Sequence, residues 1–468
     1  MTVTRPPDER VAVSSPPARR ATFRGVFAVR EFRALWAAQV LSVSGDRLAL
    51  VALTLLIYER THSPLLAAVA YAAGYVPYVV GGLFLSSLAD RLPRREVMVS
   101  CDLIRAVLVT VMLLPHMRLD ALVALLYVTT MVQPPFDAAR SAILPDVLDG
   151  ERYALAAATM QTTYRVAIVV GAAVGGVIVA LIGARFALGV DAATFVASAV
   201  LVRFGTRARP APAGRAGQGQ LARLSGGARL VFGDRALRTL LMLGWLVALY
   251  EIPEGIAAPY ASRLGGGPVA AGLVIASTQV GAVLFTPIFT SKIGPLTRLR
   301  WMGPMAVCTC AVLMLIILGP GLVVSMAIFA LSGTFAIYQI AANTAFVARV
   351  PNERRAQAFG LANAGLVVGQ GVAFMVAGAA AEVVPPSTVI AVGGGLSALA
   401  ACGLAVRWRR MSPAVGRHSA RHLRGHASGN ASPGNASLGN ASLGNASLGN
   451  ASLARQAPIH AARSRVRG

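Results

Sequence analysis

Charge is scarce in this chain. Asp, Glu, Lys and Arg make up 13% of 468 residues, where soluble domains carry about a quarter, so a soluble globular protein is excluded. Lysine is reduced to one residue, Lys292, among many arginines. The four cysteines (Cys101, Cys308, Cys310 and Cys402) all fall in apolar stretches, and Cys308 and Cys310, two apart, point to different faces of a helix. No disulfide framework or metal spacing results, and neither a metal nor a cofactor is expected. The six histidines (His62, His116, His418, His422, His426 and His460) lie outside the apolar helices or at their ends. A polytopic membrane enzyme would therefore lack its usual nucleophiles and metal ligands. No Gly-rich loop ending in Lys-Ser/Thr is present, which excludes transport driven by ATP hydrolysis within this chain. The first 30 residues are rich in Pro, Ser and Arg without an apolar core, so they are not a cleaved signal peptide.

What fills the sequence instead is apolar. Hydrophobic residues reach 56% and the mean hydropathy is +0.64. Stretches of roughly 18 or more apolar residues read as membrane spans, and they predict an all-α membrane protein of twelve transmembrane helices. The first six are expected near 34–57, 64–89, 97–117, 121–144, 153–182 and 185–204. The second six are expected near 237–261, 268–292, 301–319, 322–347, 355–382 and 387–407. The domain plan is then a disordered basic arm (1–30), a six-helix half (31–205) and a flexible cytoplasmic linker (206–234). A second six-helix half (235–408) and a disordered, basic, low-complexity tail (409–468) complete it. In that tail Gly-Asn-Ala-Ser-Leu and variants repeat from Gly429 to Leu453, read as disordered filler.

The net charge of +24 is topology information, not a nucleic-acid footprint. Alternate loops carry the arginines: Arg91, Arg94, Arg95, Arg152, the linker, Lys292, Arg298, Arg300, Arg349, Arg354, Arg355 and the tail lie to one side. The other side holds Arg60, Arg118, Arg185 and Arg263. The positive-inside rule places both termini in the cytoplasm, as an even helix count requires.

An internal repeat divides the chain. Arg30, Arg33, Leu35, Leu41 and Asp46 match Arg235, Arg238, Leu240, Leu246 and Glu251 at a constant spacing. Gln133, Asp137 and Pro145 match Gln339, Asn343 and Pro351 one residue further on. Two pseudo-symmetric six-helix halves in the same orientation are a transporter architecture with its substrate site near mid-membrane.

These residues carry a family likeness. Asp90-Arg91-x-x-Arg94-Arg95 between helices two and three resembles the loop motif of the major facilitator superfamily. Phe32-Arg33-Ala34-Leu35-Trp36, then Leu41-Ser42-x-x-Gly45-Asp46-Arg47, and Ala138-Ala139-Arg140-Ser141-Ala142-Ile143-Leu144-Pro145 look like its drug-efflux branch, the macrolide and enterobactin exporter-like members. The likeness covers roughly residues 30 to 408. There are departures: Ser86 and Pro93 stand where the motif usually has Gly. Gly171, Gly175 and Gly176 are similar to the helix-five antiporter motif, with Ala172 nearest to its usual Pro. The second-half loop, Ser291 to Pro295, is degenerate. The resemblance implies a secondary transporter, with Asp90 at the N-terminal end of helix eleven and the charged loop latching a cytoplasmic gate.

Ionisable groups inside a membrane helix are functional candidates by default. Gln39, Ser42 and Asp46 are three and four apart, hence on one face, and such a stripe is expected to face a water-filled cavity. Glu251 and Glu254 sit at similar depth in helix seven, with Pro253 between them expected to kink it. Asp46, Glu251 and Glu254 are candidates to titrate during transport. The competing reading is a structural ion pair, with Arg47 or Arg165 neutralising Asp46. Asp102 with Arg105, and Asp137 with Arg140, are i, i+3 pairs of opposite sign, expected to pair locally and to join Asp90, Arg91 and Arg94 in the gate network.

Three function classes follow. A proton-driven efflux antiporter for small amphipathic compounds is the first. Uptake or facilitated passage of a small metabolite by the same fold is the second, because a fold does not fix direction. The third, a membrane enzyme, lacks its chemistry. The expected setting is a multi-pass protein of a plasma membrane, such as a bacterial inner membrane, acting as a monomer with protons, a small-molecule substrate and the lipid bilayer as its partners, and no nucleic acid.

Overall fold

The protein is described by a computed structural model covering residues 22–86, 88–210 and 220–428. It is helical throughout the described residues. The first half comprises α1 (Arg30–Thr61), α2 (Pro64–Phe84), α3 (Arg94–Met112), α4 (Leu119–Val147), α5 (Gly150–Ile182) and α6 (Ala184–Gly205). The second comprises α7 (Arg235–Gly255, continued by Ala257–Arg263), α8 (Pro268–Lys292), α9 (Pro295–Leu318), α10 (Leu322–Arg349), α11 (Asn352–Val383) and α12 (Pro386–Met411). Eleven of these are long and apolar enough to cross a membrane. The remaining one, α3, has 19 residues but carries Arg94, Arg95, Glu96, Asp102 and Arg105. It still packs between α4 and α6.

One hydrophobic core runs through both halves. In the N-terminal half α1 lies against α5 and α6, and it buries most of the residues on all its faces, including Leu35, Ala38, Ala52 and Ile57. A helix buried all round has no lipid face, which puts α1 at the centre of the half. Gly45 makes this possible, since a Cβ there would sit 2.2 Å from Thr194 Oγ1 of α6.

The halves meet along two helix pairs, α5 with α8 and α2 with α11. At the first pair Gly176 and Gly272 face each other, and a Cβ on Gly176 would stand 2.6 Å from the Pro268 carbonyl oxygen. At the second, Gly378 packs on Ala68 and Glu382 reaches Ser63 and the Leu65 amide. These contacts lie toward the arginine-poor end, beside the loops at 62–63, 183 and 384–385.

Three expectations about the chain outside the spans change. A short helix, Phe23–Phe27, precedes α1 within the supposed arm, capped by Thr22 and burying Val26 beside Phe32, Leu144 and Met160. The linker is not uniformly loose. Arg207 and Arg209 hold Glu31 at 3.4 and 2.7 Å, and Gln220–Gly233 is a helix whose Gly227 lies against Gln357 of α11. The last helix runs on as far as Ser428. The repeat beyond Gly429 lies outside the described residues.

Candidate functional site

The second-half acids sit where α7 comes apart. α7 is interrupted at Leu246, Glu251 and Ile256, the residues between Arg235–Trp245, Val247–Tyr250, Ile252–Gly255 and Ala257–Arg263. Pro253 supplies no amide, so it cannot continue the hydrogen-bond ladder, and the predicted kink becomes a series of short turns. Their shared lining is polar. The Gln279 side-chain amide (α8) donates to Glu251 Oε1 at 3.3 Å and to Glu254 Oε1 at 3.1 Å. Gln370 of α11 donates to the other oxygen of Glu251. Tyr71 of α2 donates its hydroxyl to Glu254 Oε2 at 3.0 Å. Glu254 is 4% exposed.

Aromatic rings close this pocket. Phe374 of α11 meets Tyr71 and Tyr75 edge-on, with centroids 5.2 and 5.1 Å apart. The same ring lies over Gly255, where a Cβ would come within 2.5 Å of it. Arg47 of α1 is the cation within electrostatic reach of both glutamates and of Tyr75. Arg165 on α5 acts on Tyr250 of α7.

In the N-terminal half the acid Asp46 has a partner that the sequence did not suggest. Arg105 of α3 forms its ion pair with Asp46, not with Asp102. The same guanidinium donates to Ser42 Oγ at 3.3 Å and stacks 4.1 Å over the Phe195 ring of α6. Neither Arg47 nor Arg165 is the pairing group. The i, i+3 spacing puts Asp102 beside Arg105 along the helix, but the guanidinium turns inward toward α1 and α6. Asp102 is left fully buried, facing Ser198 of α6, and Asp191 of the same helix is 1% exposed nearby.

The polar stripe of α1 is likewise turned inward. Gln39 donates to the Met160 carbonyl at 3.2 Å and is 2% exposed, so it fastens α1 to α5 and does not face open water. Asp46 and Arg47 do line a small cavity of about 50 Å³, with Asp191, Tyr164, Gln133 and Thr130 around it. The glycines of α5 divide their work: Gly171 and Gly175 let α1 approach at Ser44, Arg47 and Leu48, and Gly176 meets α8.

The expected gate network forms two separate groups. Asp137 and Arg140 pair at 3.0 Å, as their spacing predicts, and Tyr78 of α2 donates to Asp137 at 3.2 Å. Arg94 goes elsewhere, to Asp146 at 2.8 Å and the Ala142 carbonyl at 2.7 Å near the end of α4. Asp102 and Arg105 belong to the core of the half. Arg91 is exposed. The side chain of Asp90, and with it the proposed contact to α11, lies outside the described residues. Leu88–Arg91 forms one short helical turn packed against α3 and α4 of its own half.

Tyr71, Gln279, Gln370 and Arg47 were not singled out as site residues by sequence. Gln279 stands as an isolated side-chain amide in an apolar helix, which is the signal that could have drawn attention to it.

Residues 35–350 match the model of the Major Facilitator Superfamily. The chain is 26% identical over 181 residues to the uncharacterised MFS-type transporter YkuC of Bacillus subtilis, covering 38% of this chain and 42% of that one. It is 32% identical over 76 residues to macrolide efflux protein A of Streptococcus pyogenes, covering 16% and 19%. The chain thus spans less than half the length of these relatives. In structure it is similar to the POT family transporter PepTSo, with a TM-score of 0.62, 14% identity and coverage of 82% and 98%; the likeness is one of fold. A match over most of the helical region, on a fold with eleven helices long and apolar enough to cross a membrane, shows the family: the chain belongs to the major facilitator superfamily.

Proposed function

We propose that the chain exports small amphipathic compounds across a plasma membrane in exchange for protons, by alternating access of two six-helix halves. The reading takes α3 as the twelfth span, places both termini and the arginine-rich loops in the cytoplasm, and needs one copy of the chain. The observation that carries it is the buried pair Glu251 and Glu254, bonded across the halves through Tyr71. A carboxylate out of water must carry a proton or keep a counter-charge. Both glutamates lie within electrostatic reach of Arg47, and the reading has one of them carry a proton while the pair is buried.

The cycle follows from that charge count. Protons from the arginine-poor side neutralise the pair and let the aromatic lid of Tyr71, Tyr75 and Phe374 close over it. A proton lost toward the other side leaves a charge whose burial costs several kcal/mol, and this drives the lid open again, with the substrate carried outward. Asp46 and Arg165 line the N-terminal side of the same path, with Gln39 and Ser42 holding Asp46's helix in place. Asp90, Arg91 and Arg94 would latch the arginine-rich end when the lid is open. The 76-residue likeness to a protein named for macrolide efflux supports export.

The test is expression in an efflux-deficient bacterial host with a panel of amphipathic toxic compounds. Wild type lowers accumulation, an uncoupler abolishes this, and Glu251→Gln and Glu254→Gln each reduce it by at least about tenfold. Full, gradient-dependent export by both variants would sink the role of the pair, and accumulation of a nutrient would favour uptake.

A further inference from the structure

A cleft lies away from the acid pair, between α7 and α12. It has a volume of about 420 Å³. From α7 it takes Met242, Trp245, Leu246 and Leu249, and from α12 Ala400, Gly403, Leu404 and Arg407. The α12 set runs i, i+3, i+4, i+7 along one helix face, and the α7 set keeps the same spacing across the break at Leu246. The walls are apolar except at one end, where Arg407 stands exposed among Arg409 and Arg410 and forms no ion pair among the described residues. The matching pair in the first half, α1 with α6, is drawn together at two glycines. There Gly45 draws α6 in until Thr194 fills the gap, and Gly205 packs on Ala34.

We propose that this cleft binds an anionic phospholipid from the leaflet at the arginine-rich end. An acyl chain would lie along Leu246, Leu249, Ala400 and Leu404, and the phosphate would sit on Arg407. Three observations select that occupant. The cleft lies on membrane-spanning helices and opens outward, so its medium is lipid. Its apolar wall rises from the arginine for about seven residues, roughly 10 Å of α12, the direction an acyl chain takes away from its headgroup. The cation is placed where that chain must end in a charge, and basic sites between helices at a membrane surface take acidic headgroups. Gly403 leaves the floor open, for a Cβ there would meet nothing within 4 Å. Arginine serves better than lysine at this place because its planar fork matches a phosphate. The site is independent of what is transported and in which direction.

Native mass spectrometry of the full chain in detergent tests it, with phosphatidylglycerol, phosphatidylcholine and inorganic phosphate as probes. Wild type retains phosphatidylglycerol and neither of the others at equal concentration. Arg407→Gln weakens retention by roughly fivefold, the worth of one arginine at a membrane surface. Gly403→Leu fills the cleft and abolishes retention; because its side chain enters open space, the variant stays folded and keeps its melting temperature. Equal retention of the two lipids, or of phosphatidylglycerol by wild type and both variants, overturns the proposal. So does a dimer that Gly403→Leu dissociates, which would make the occupant a second copy of the chain. Should Arg407→Gln misfold, Gly403→Leu alone decides.

Discussion

Tyr71 and Glu254 lie 183 residues apart in the chain and 3.0 Å apart in space, and the hydroxyl of one donates to the carboxylate of the other across the boundary between the halves. In the proposed cycle the gate and the proton site share this one hydrogen bond. Removing the donor separates their roles. Tyr71→Phe keeps the ring that Phe374 packs on but leaves a buried carboxylate oxygen unpaired, at about 1–3 kcal/mol. The expected result is a population shifted toward opening at the arginine-poor end, read as faster labelling of a cysteine introduced at Ser63. Unchanged labelling would break the link between the bond and the gate.

The Asp46–Arg105 pair gives a stability prediction. Breaking a buried pair strands one charge, at about 3–5 kcal/mol, so Asp46→Asn and Arg105→Gln should each lower the melting temperature of the purified protein markedly. The double variant should lose much less than the sum. Additive losses would mean that the two side chains do not act as a unit.

At the outer contact of α2 and α11, Glu382 accepts hydrogen bonds from the Ser63 hydroxyl and from the Leu65 amide, at 3.0 Å for the latter. It caps the first turn of a helix that belongs to the other half. Glu382→Ala should cost about 1 kcal/mol in holding that end shut, the usual worth of a helix cap. Distance measurements between spin labels on α2 and α11 would register the shift, and no change would remove Glu382 from the latch.

Asp234, before α7, gives a pH prediction outside the membrane. Burial pushes its carboxyl up, but the amides of Leu237 and Ala236 and the Arg349 guanidinium outweigh this and hold it below the usual carboxylate range. Because the folded value is depressed, its stabilisation is complete above the unfolded value of about 3.9 and is lost as pH falls through the folded value. Asp234→Asn should thus melt below wild type at neutral pH, and the difference should vanish in acid. A gap that persists undiminished in strong acid would contradict the assignment.

The helical spans were legible because hydropathy is a local property: the predicted 268–292 coincides with α8, and 185–204 falls within one residue of α6 at each end. The acids of the site were legible too, since a carboxylate stands out in an apolar helix. Their partners were not. Spacing along a helix shows neighbours within that helix, so it offered Arg105 to Asp102, whereas the observed pair joins residues 59 apart. Tyr71 and Gln370 were hidden for the same reason, compounded by their lack of charge. The reach of Arg94 toward Asp146 depended on where α4 ends, a boundary that hydropathy placed at 144 and the structure places at Val147.

The linker imposes a limit that no contact in the membrane does. Its start is clamped to Glu31 of the first half by Arg207 and Arg209, and its helix from Gln220 rests on α11 of the second. Between Pro210 and Gln220 the chain has ten steps, roughly 35 Å when drawn straight. In the proposed cycle, however the two halves rock, the anchor points at the arginine-rich end can part by no more than that leash, which would set a mechanical stop to the stroke in the backbone itself.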